Sequence, residues 1–182
     1  MRAVQIPRLS PDIRGVNWAY GEPRDRVDRL ATGLIHLGVK PGDRVGIWGP
    51  NSSEWVLVQL ATAKIGAIMV CINPAYRLYE LEYAVNKVEC KTLITDVSFK
   101  TSDYLGMINT LAPELESSYP GQLEAEKLPR LKHVIRMGSD MTPGMYNFDS
   151  VCSAGTIDDQ AAMSALQARL QPDDAINIQF TS

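Results

Sequence analysis

This chain is poor in the features that most quickly betray a specialised protein. No apolar run approaches the ~20 residues of a membrane span, so the sequence contains no transmembrane segment. Cysteine is scarce. Cys71, Cys90 and Cys152 are odd in number, widely separated and form no CxxC pair, which argues for reduced thiols in an intracellular protein and against a disulfide framework or zinc site. Histidine is scarcer still. His36 falls late in a helical segment, where the carbonyl end suits it, and His133 falls in a strand; without clustered acids, neither suggests a metal ligand or an acid–base group. An excess of one charge is also lacking. The net charge is −3 and the basic residues are scattered, so no nucleic-acid surface is indicated. Three short motifs are missing as well: GxGxxG, GxxxxGK[ST] and GxSxG. Their absence excludes a dinucleotide fingerprint, a Walker-type phosphate loop and a nucleophile elbow.

What is present is an ordinary globular balance, 45% apolar and 21% charged, in 182 residues, enough to bury one good core or part of a larger one. The stretch from Leu37 to Tyr76 is the most informative. Leu37-Gly38 closes a helix, Lys40-Pro41-Gly42-Asp43 makes a polar turn, and Arg44 to Trp48 reads as a strand. Asn51 then opens a helix, with Glu54 placed to complete a capping box. Trp55 to Ile65 is apolar on nearly every side, which predicts burial on more than one face and puts both Leu57 and Leu60 in the core. Gly66 stops this helix, and Ala67 to Ile72 has no polar position, as in a strand covered on both faces.

The same alternation runs through the chain. Val27, Leu30, Ala31, Leu34 and Ile35 have helical spacing, in a helix starting at about Glu22, where Pro23 is tolerated in the first turn. Its Arg24, Asp25, Arg26, Asp28 and Arg29 read as a solvated face with pairing such as Asp25 to Arg29. Leu81, Ala84, Val85 and Val88 mark another helix, as do Tyr104, Met107, Ile108 and Leu111, and then Met163, Leu166 and Leu170 before Pro172. Further strands are expected near 91–95, 131–137 and 175–180, the last alternating Ile176, Ile178 and Phe180 with Asn177 and Gln179. Pro113 to Leu128 reads as an exposed connection and Ser139 to Gly144 as a loop. Trp48, Trp55, Tyr76 and Tyr83 are read as packing residues, not as an aromatic ligand box. The expected fold is α/β, a mainly parallel sheet with helices on both faces.

LGVKPGDRV, followed by PNSSEW, an alanine-rich helix, a Gly-Ala strand and NP, resembles the opening of the AMP-forming acyl-adenylating enzymes. Within them, WGPNS, QLATA, NPAY, ELEY and CKTLI are most similar to mitochondrial medium-chain acyl-CoA ligases. The resemblance covers residues 18–182, read as the first part of the large N-terminal AMP-binding domain, and leaves 1–17 as an unmatched segment. It implies a fatty acid activated with ATP and Mg to an acyl-adenylate and then passed to coenzyme A. In such enzymes the strand ending here at Gln179-Phe180 runs into a Thr/Ser/Gly-rich loop that closes with Pro-Lys-Gly and wraps the ATP phosphates. Thr181 and Ser182 match the first two residues of that loop, and the glycines and lysine are not among these residues.

Two readings follow. In one, the chain is a fragment of an acyl-CoA synthetase, inactive alone, with no catalytic or metal residues of its own. In the other, it is a non-catalytic splice product or truncated gene model that acts, if at all, through interaction, with self-association through the open sheet edge beside Phe180. Arg2, Arg8 and Arg14 against Asp12 fit either the tail of an Arg-rich, acid-poor transit peptide or else an alternative start or a mis-joined exon. Pro7 and Pro11, which break any amphipathic helix, weigh toward the second.

Overall fold

The computed structural model describes residues 22–180. Residues 1–17, expected from the sequence to be unmatched, the Tyr20-Gly21 pair, Thr181 and Ser182 lie outside them. In chain order the elements are α1 (Glu22–His36), β1 (Arg44–Trp48), α2 (Ser53–Lys64), β2 (Ile68–Ile72), α3 (Leu78–Lys87), β3 (Thr92–Thr95), β4 (Ser98–Phe99), β5 (Ser102–Asp103) and α4 (Tyr104–Leu111). After a 3-10 turn at Pro113–Glu116 come β6 (His133–Arg136), β7 (Tyr146–Asn147), α5 (Phe148–Ala154), α6 (Ile157–Gln167) and β8 (Asn177–Gln179).

Six strands form one sheet in the order β7-β6-β3-β1-β2-β8, and every neighbouring pair is parallel. The strand alternation decides which residues meet which layer. Val45, Ile47, Met69, Ile94 and Ile135 face a core shared with α1, α2, α5 and α6. Trp48, Val70, Leu93 and Val134 face a second core under α3, α4 and the 113–131 connection. Both faces are covered, which is why these strands read as near-continuous apolar runs.

Glycine decides two junctions. Gly66 ends α2 with φ +72°, a conformation L side chains rarely adopt, and so turns the chain from α2 into β2. Gly33 has a different use: a Cβ there would collide with the carbonyl oxygen of Val151, so its absence lets α1 and α5 cross in contact.

Several expectations need correcting. The cap of α2 is Ser52, whose Oγ accepts from the Trp55 N–H at 3.3 Å. Glu54 instead accepts from the Ser53 hydroxyl at 3.0 Å, so Asn51 and Glu54 form no capping box. A reciprocal box does occur at α6, between Thr156 and Asp159. Leu57 is buried at 4% exposure, but Leu60 is 50% exposed. The inward stripe of α2 runs through Leu57, Val58 and Ala61, and Leu60 lies just past its edge; an all-round apolar helix does not reveal from sequence which side has neighbours.

The 113–128 segment is an exposed connection only in part. Leu115, Leu123, Ala125 and Leu128 are buried and roof the second core, as isolated apolar anchors without a period. Arg29 does not pair with Asp25: its guanidinium donates to Cys152 O and Ser153 Oγ on α5, each at 3.1 Å. Tyr83 is 54% exposed and so does not pack as expected. The short elements β4, β5, β7 and α5 had no sequence signal beyond turn residues. The remaining strands start or stop within two residues of expectation.

Candidate functional site

In an open parallel sheet, ligands bind beyond the carboxyl ends of the strands, where consecutive connections leave for opposite faces. The strand order reverses between β1 and β3: the chain leaves β1 toward α2 in the first core, and leaves β3 toward α4 in the second. On the other side of β1 lies β2. Next to β2 lies β8, in the register Met69↔Asn177, Val70↔Ile178 and Cys71↔Gln179. Phe180 follows at the same edge. Thr181 and Ser182, the residues singled out from the sequence, come next in the chain and lie outside the described residues.

The backbone at this edge is held by buried rings. Trp48, at the end of β1, is fully buried and stacks on Tyr104 with centroids 3.8 Å apart. The Trp48 Nε1–H donates to Asn73 O at 3.1 Å, and the Tyr104 hydroxyl donates to Pro74 O at 2.6 Å. Asn73 also closes its own turn: its side-chain oxygen accepts from Ala75 N at 2.9 Å and its carbonyl from Tyr76 N at 3.0 Å. Tyr76, fixed at the end of that turn, meets Phe180 edge-to-face with centroids 6.4 Å apart. On the β3 side, Asp96 lies so close to Gly49 that an added Cβ there would stand 3.2 Å from the aspartate Cβ.

The electrostatics at this edge are quiet. Burial, helped by the nearby Asp96 carboxylate, pushes the Tyr104 hydroxyl up to about 12, so it stays a neutral donor. Burial also raises the Cys71 thiol against the opposing effect of a hydrogen bond with Gln179. The other two thiols are raised as well, Cys90 to about 12 and Cys152 to about 11, each mainly by burial. All three cysteines are free, and none is set up as a thiolate nucleophile. Among the described residues, no group of three His, Cys, Asp or Glu is placed to hold a metal ion. None of their helices is long and apolar enough to cross a membrane.

The two histidines are not brought together as a catalytic pair. His36 Nδ1 lies 3.1 Å from Asp159 Oδ2, tying α1 to α6. His133 is buried at the start of β6, at the opposite end of the sheet, and burial together with the nearby Lys91 charge lowers its pKa to about 4. The sequence marks Trp48 and Tyr76 as packing residues, but not the hold of Trp48 and Tyr104 on the Asn73-Pro74 turn from which Tyr76 emerges. The signal was the NPAY motif, whose meaning depends on Tyr104, about thirty residues on in the chain, coming back to meet it.

Comparison with known proteins fits this architecture. A family described as AMP-binding enzyme matches residues 7–182. The mitochondrial medium-chain acyl-CoA ligase ACSF2 of Danio rerio is 41% identical over 168 residues, covering 92% of this chain and 28% of that protein. The Homo sapiens protein of the same name is 42% identical over 175 residues, covering 96% of this chain and 28% of the relative. The chain thus spans little more than a quarter of these curated relatives. Among solved structures, an anthranilate CoA ligase in complex with anthranoyl-AMP superposes with a TM-score of 0.69 at 22% identity, over 88% of this chain and 26% of that one. A fatty acyl CoA synthetase of Mycobacterium tuberculosis does so with a TM-score of 0.68 at 21% identity, over 92% of this chain and 28% of that one. With a family match across nearly all of its length and the parallel sheet that goes with it, the chain belongs to the AMP-binding enzyme family.

Proposed function

We propose that this chain is part of a fatty acid–CoA ligase that activates a medium-chain acid with ATP to the acyl-adenylate and transfers the acyl group to coenzyme A. The observation that carries this reading is the identity of 41–42% with medium-chain acyl-CoA ligases over more than nine-tenths of the chain. The mitochondrial location in those relatives' names makes mitochondria the proposed compartment. Thr181 and Ser182, directly after the β8 strand end, are the proposed start of the phosphate-binding loop. Residues 18–182 are then the first part of the AMP-binding domain.

The chemistry assigned to the whole enzyme is attack of a carboxylate on the α-phosphate with loss of pyrophosphate. Adenylation turns a poor leaving group into a good one, and the protein's task is to orient the acid and stabilise charge on the phosphate. What these residues add is a parallel strand end from which the loop is proposed to depart, with hydroxyls at its first two positions to donate to phosphate oxygens. Magnesium is expected to enter with the triphosphate. The described residues contain no cluster to ligate it, and they assign it no role.

The test is ATP–pyrophosphate exchange by the complete polypeptide of family length, with short-, medium- and long-chain fatty acids offered separately. Exchange that depends on a medium-chain acid is the expected result. No exchange with any acid by a folded protein refutes the assignment. β8 is last in the sheet order, so among the described residues its outer edge pairs with no strand. Self-association, if it occurs, is proposed to begin there, and a sedimentation series against concentration measures it.

A further inference from the structure

We propose that a cavity at the amino end of the sheet, between the end of α1, α5 and the start of β6, is a second binding site, for a small, flat, uncharged molecule that carries N–H donors. It lies at the opposite end of the strands from the candidate site and does not rest on the ligase reading. Its volume is about 530 Å3, within the ~300–1,000 Å3 usual for small-molecule sites.

The walls meet because of strand alternation and one glycine turn. His133 opens β6 and shares a face with Ile135, which belongs to the first core. Tyr146 opens β7 and packs against the same core, its ring centroid 6.0 Å from that of His133. The turn from Tyr119 to Gln122, closed by the Gln122 N–H on Tyr119 O at 3.0 Å, lays Gly121 against both rings. Gly121 has φ +85°, and a Cβ there would collide with the Tyr146 hydroxyl and stand 3.5 Å from His133 Nδ1. Only glycine leaves that gap open. Leu37, Val151 and Ala154 supply apolar wall, and Ser150 lines it from α5.

The polar groups of the wall ask for donors. His133 is 8% exposed, and its Nδ1 is buried with no hydrogen-bond partner. Buried polar atoms are seldom left so, and one at a cavity wall points to a ligand group that would meet it. The ring is neutral, because burial and the Lys91 charge lower its pKa to about 4, so one of its nitrogens accepts. The Tyr146 hydroxyl gives its proton to Pro120 O at 3.1 Å and keeps its lone pairs. His36 Nδ1 faces Asp159 at 3.1 Å. That carboxylate, held ionised by its bonds from Thr156, only accepts; the neutral His36 ring therefore carries its proton on Nδ1 and offers Nε2 as an acceptor. The surroundings disfavour an anion. Asp159 adds a negative charge, and α1 ends here at His36, with the partial negative charge of its carbonyls. Lys91 and Lys132, whose charges act on His133, do not line the cavity. The first is held by Asp43 and Gly38 O, the second by Leu123 O.

Benzamide and benzoate test this, since they share a shape and differ in donors and charge. Each is titrated at neutral pH into the complete polypeptide of family length carrying isotope-labelled histidine. The His133 ring signal in the NMR spectrum is assigned by its loss in His133→Gln. Benzamide should move the His133 and His36 signals along a saturable curve with Kd on the order of 1 mM, and benzoate should bind there at least about tenfold more weakly. Ser150→Leu fills the cavity and should lose the benzamide shift while keeping the parent's circular dichroism. If Ser150→Leu does not fold, Ala154→Leu carries the same expectation. These signals are read without turnover, so they are independent of whether the parent proves to be a ligase. A folded parent whose His133 signal does not move with benzamide up to about 10 mM overturns the site. So does a benzamide shift that persists in the filled variant. Benzoate binding as tightly as benzamide overturns the ligand class.

Discussion

Replacing Gly33 by alanine sets two effects of opposite sign against each other. Gly33 lies in the middle of α1, where alanine is the better helix former by about 1 kcal/mol. If that face of α1 were exposed, Gly33→Ala would stabilise the protein by that amount. In the structure, a Cβ at position 33 collides with the carbonyl oxygen of Val151 and reaches within 3.1 Å of its Cγ1. The carbonyl belongs to the backbone of α5 and has no rotamer to escape into, so the two helices must separate. Their contact is tied at its rim by the two hydrogen bonds from Arg29 to Cys152 and Ser153. Forced overpacking of this kind costs typically about 1–3 kcal/mol, and a clash with backbone belongs at the upper end or beyond. Setting a cost of about 3 against a gain of about 1 leaves a net loss of about 2 kcal/mol. Urea unfolding followed by circular dichroism reads the change as a lower midpoint at constant slope. A midpoint that rises, or does not move, would refute the close α1–α5 crossing from which the loss is worked out.

The paired truncations Leu57→Ala and Leu60→Ala should separate cleanly in thermal melts. The first removes a buried side chain at a cost of about 2–5 kcal/mol, and the second, half exposed, should lie within about 1 kcal/mol of the parent. His133 makes stability depend on acid. Its folded pKa of about 4 lies below the ordinary histidine value of 6.5, so the unfolded chain binds more protons between those values and stability falls as pH drops through that window. Comparing urea midpoints across it for the parent and His133→Gln measures this, and the variant should lose much of the slope. The thiols act at the other end of the scale. Cys90 and Cys152 are held at about 12 and about 11, above the ordinary thiol value of 9.0, so the unfolded chain releases their protons first and stability falls as pH rises above about 9. A thiol-reactive dye at about pH 8, just below the ordinary thiol range, should accordingly label Cys90 only on unfolding, and rapid labelling of the native protein would contradict its burial.

Much of this architecture is determined by local chemistry along the chain. The 3.6-residue spacing of Val27, Leu30, Ala31 and Leu34, the stop at Gly66 and the unbroken apolar run of β2 each act within a few residues, so α1, α2, β1 and β2 are legible in the sequence itself. Strands separated by crossover helices leave little alternative to a parallel sheet, and the PNSSEW and NPAY signatures fit the AMP-binding enzyme family to which the chain belongs. The rest depended on which elements met. Leu60 is as apolar as Leu57 yet faces outward, because burial is a property of neighbours and not of the residue. The 113–128 segment has no period, and only the presence of a groove beneath it turns Leu115, Leu123 and Leu128 into core. At the candidate site the sequence places Thr181 and Ser182 after a strand. The tertiary structure alone brings Trp48, Tyr104, Asn73-Pro74, Tyr76 and Phe180 to one edge, because a parallel sheet returns residues far apart in the chain to adjacent strand ends.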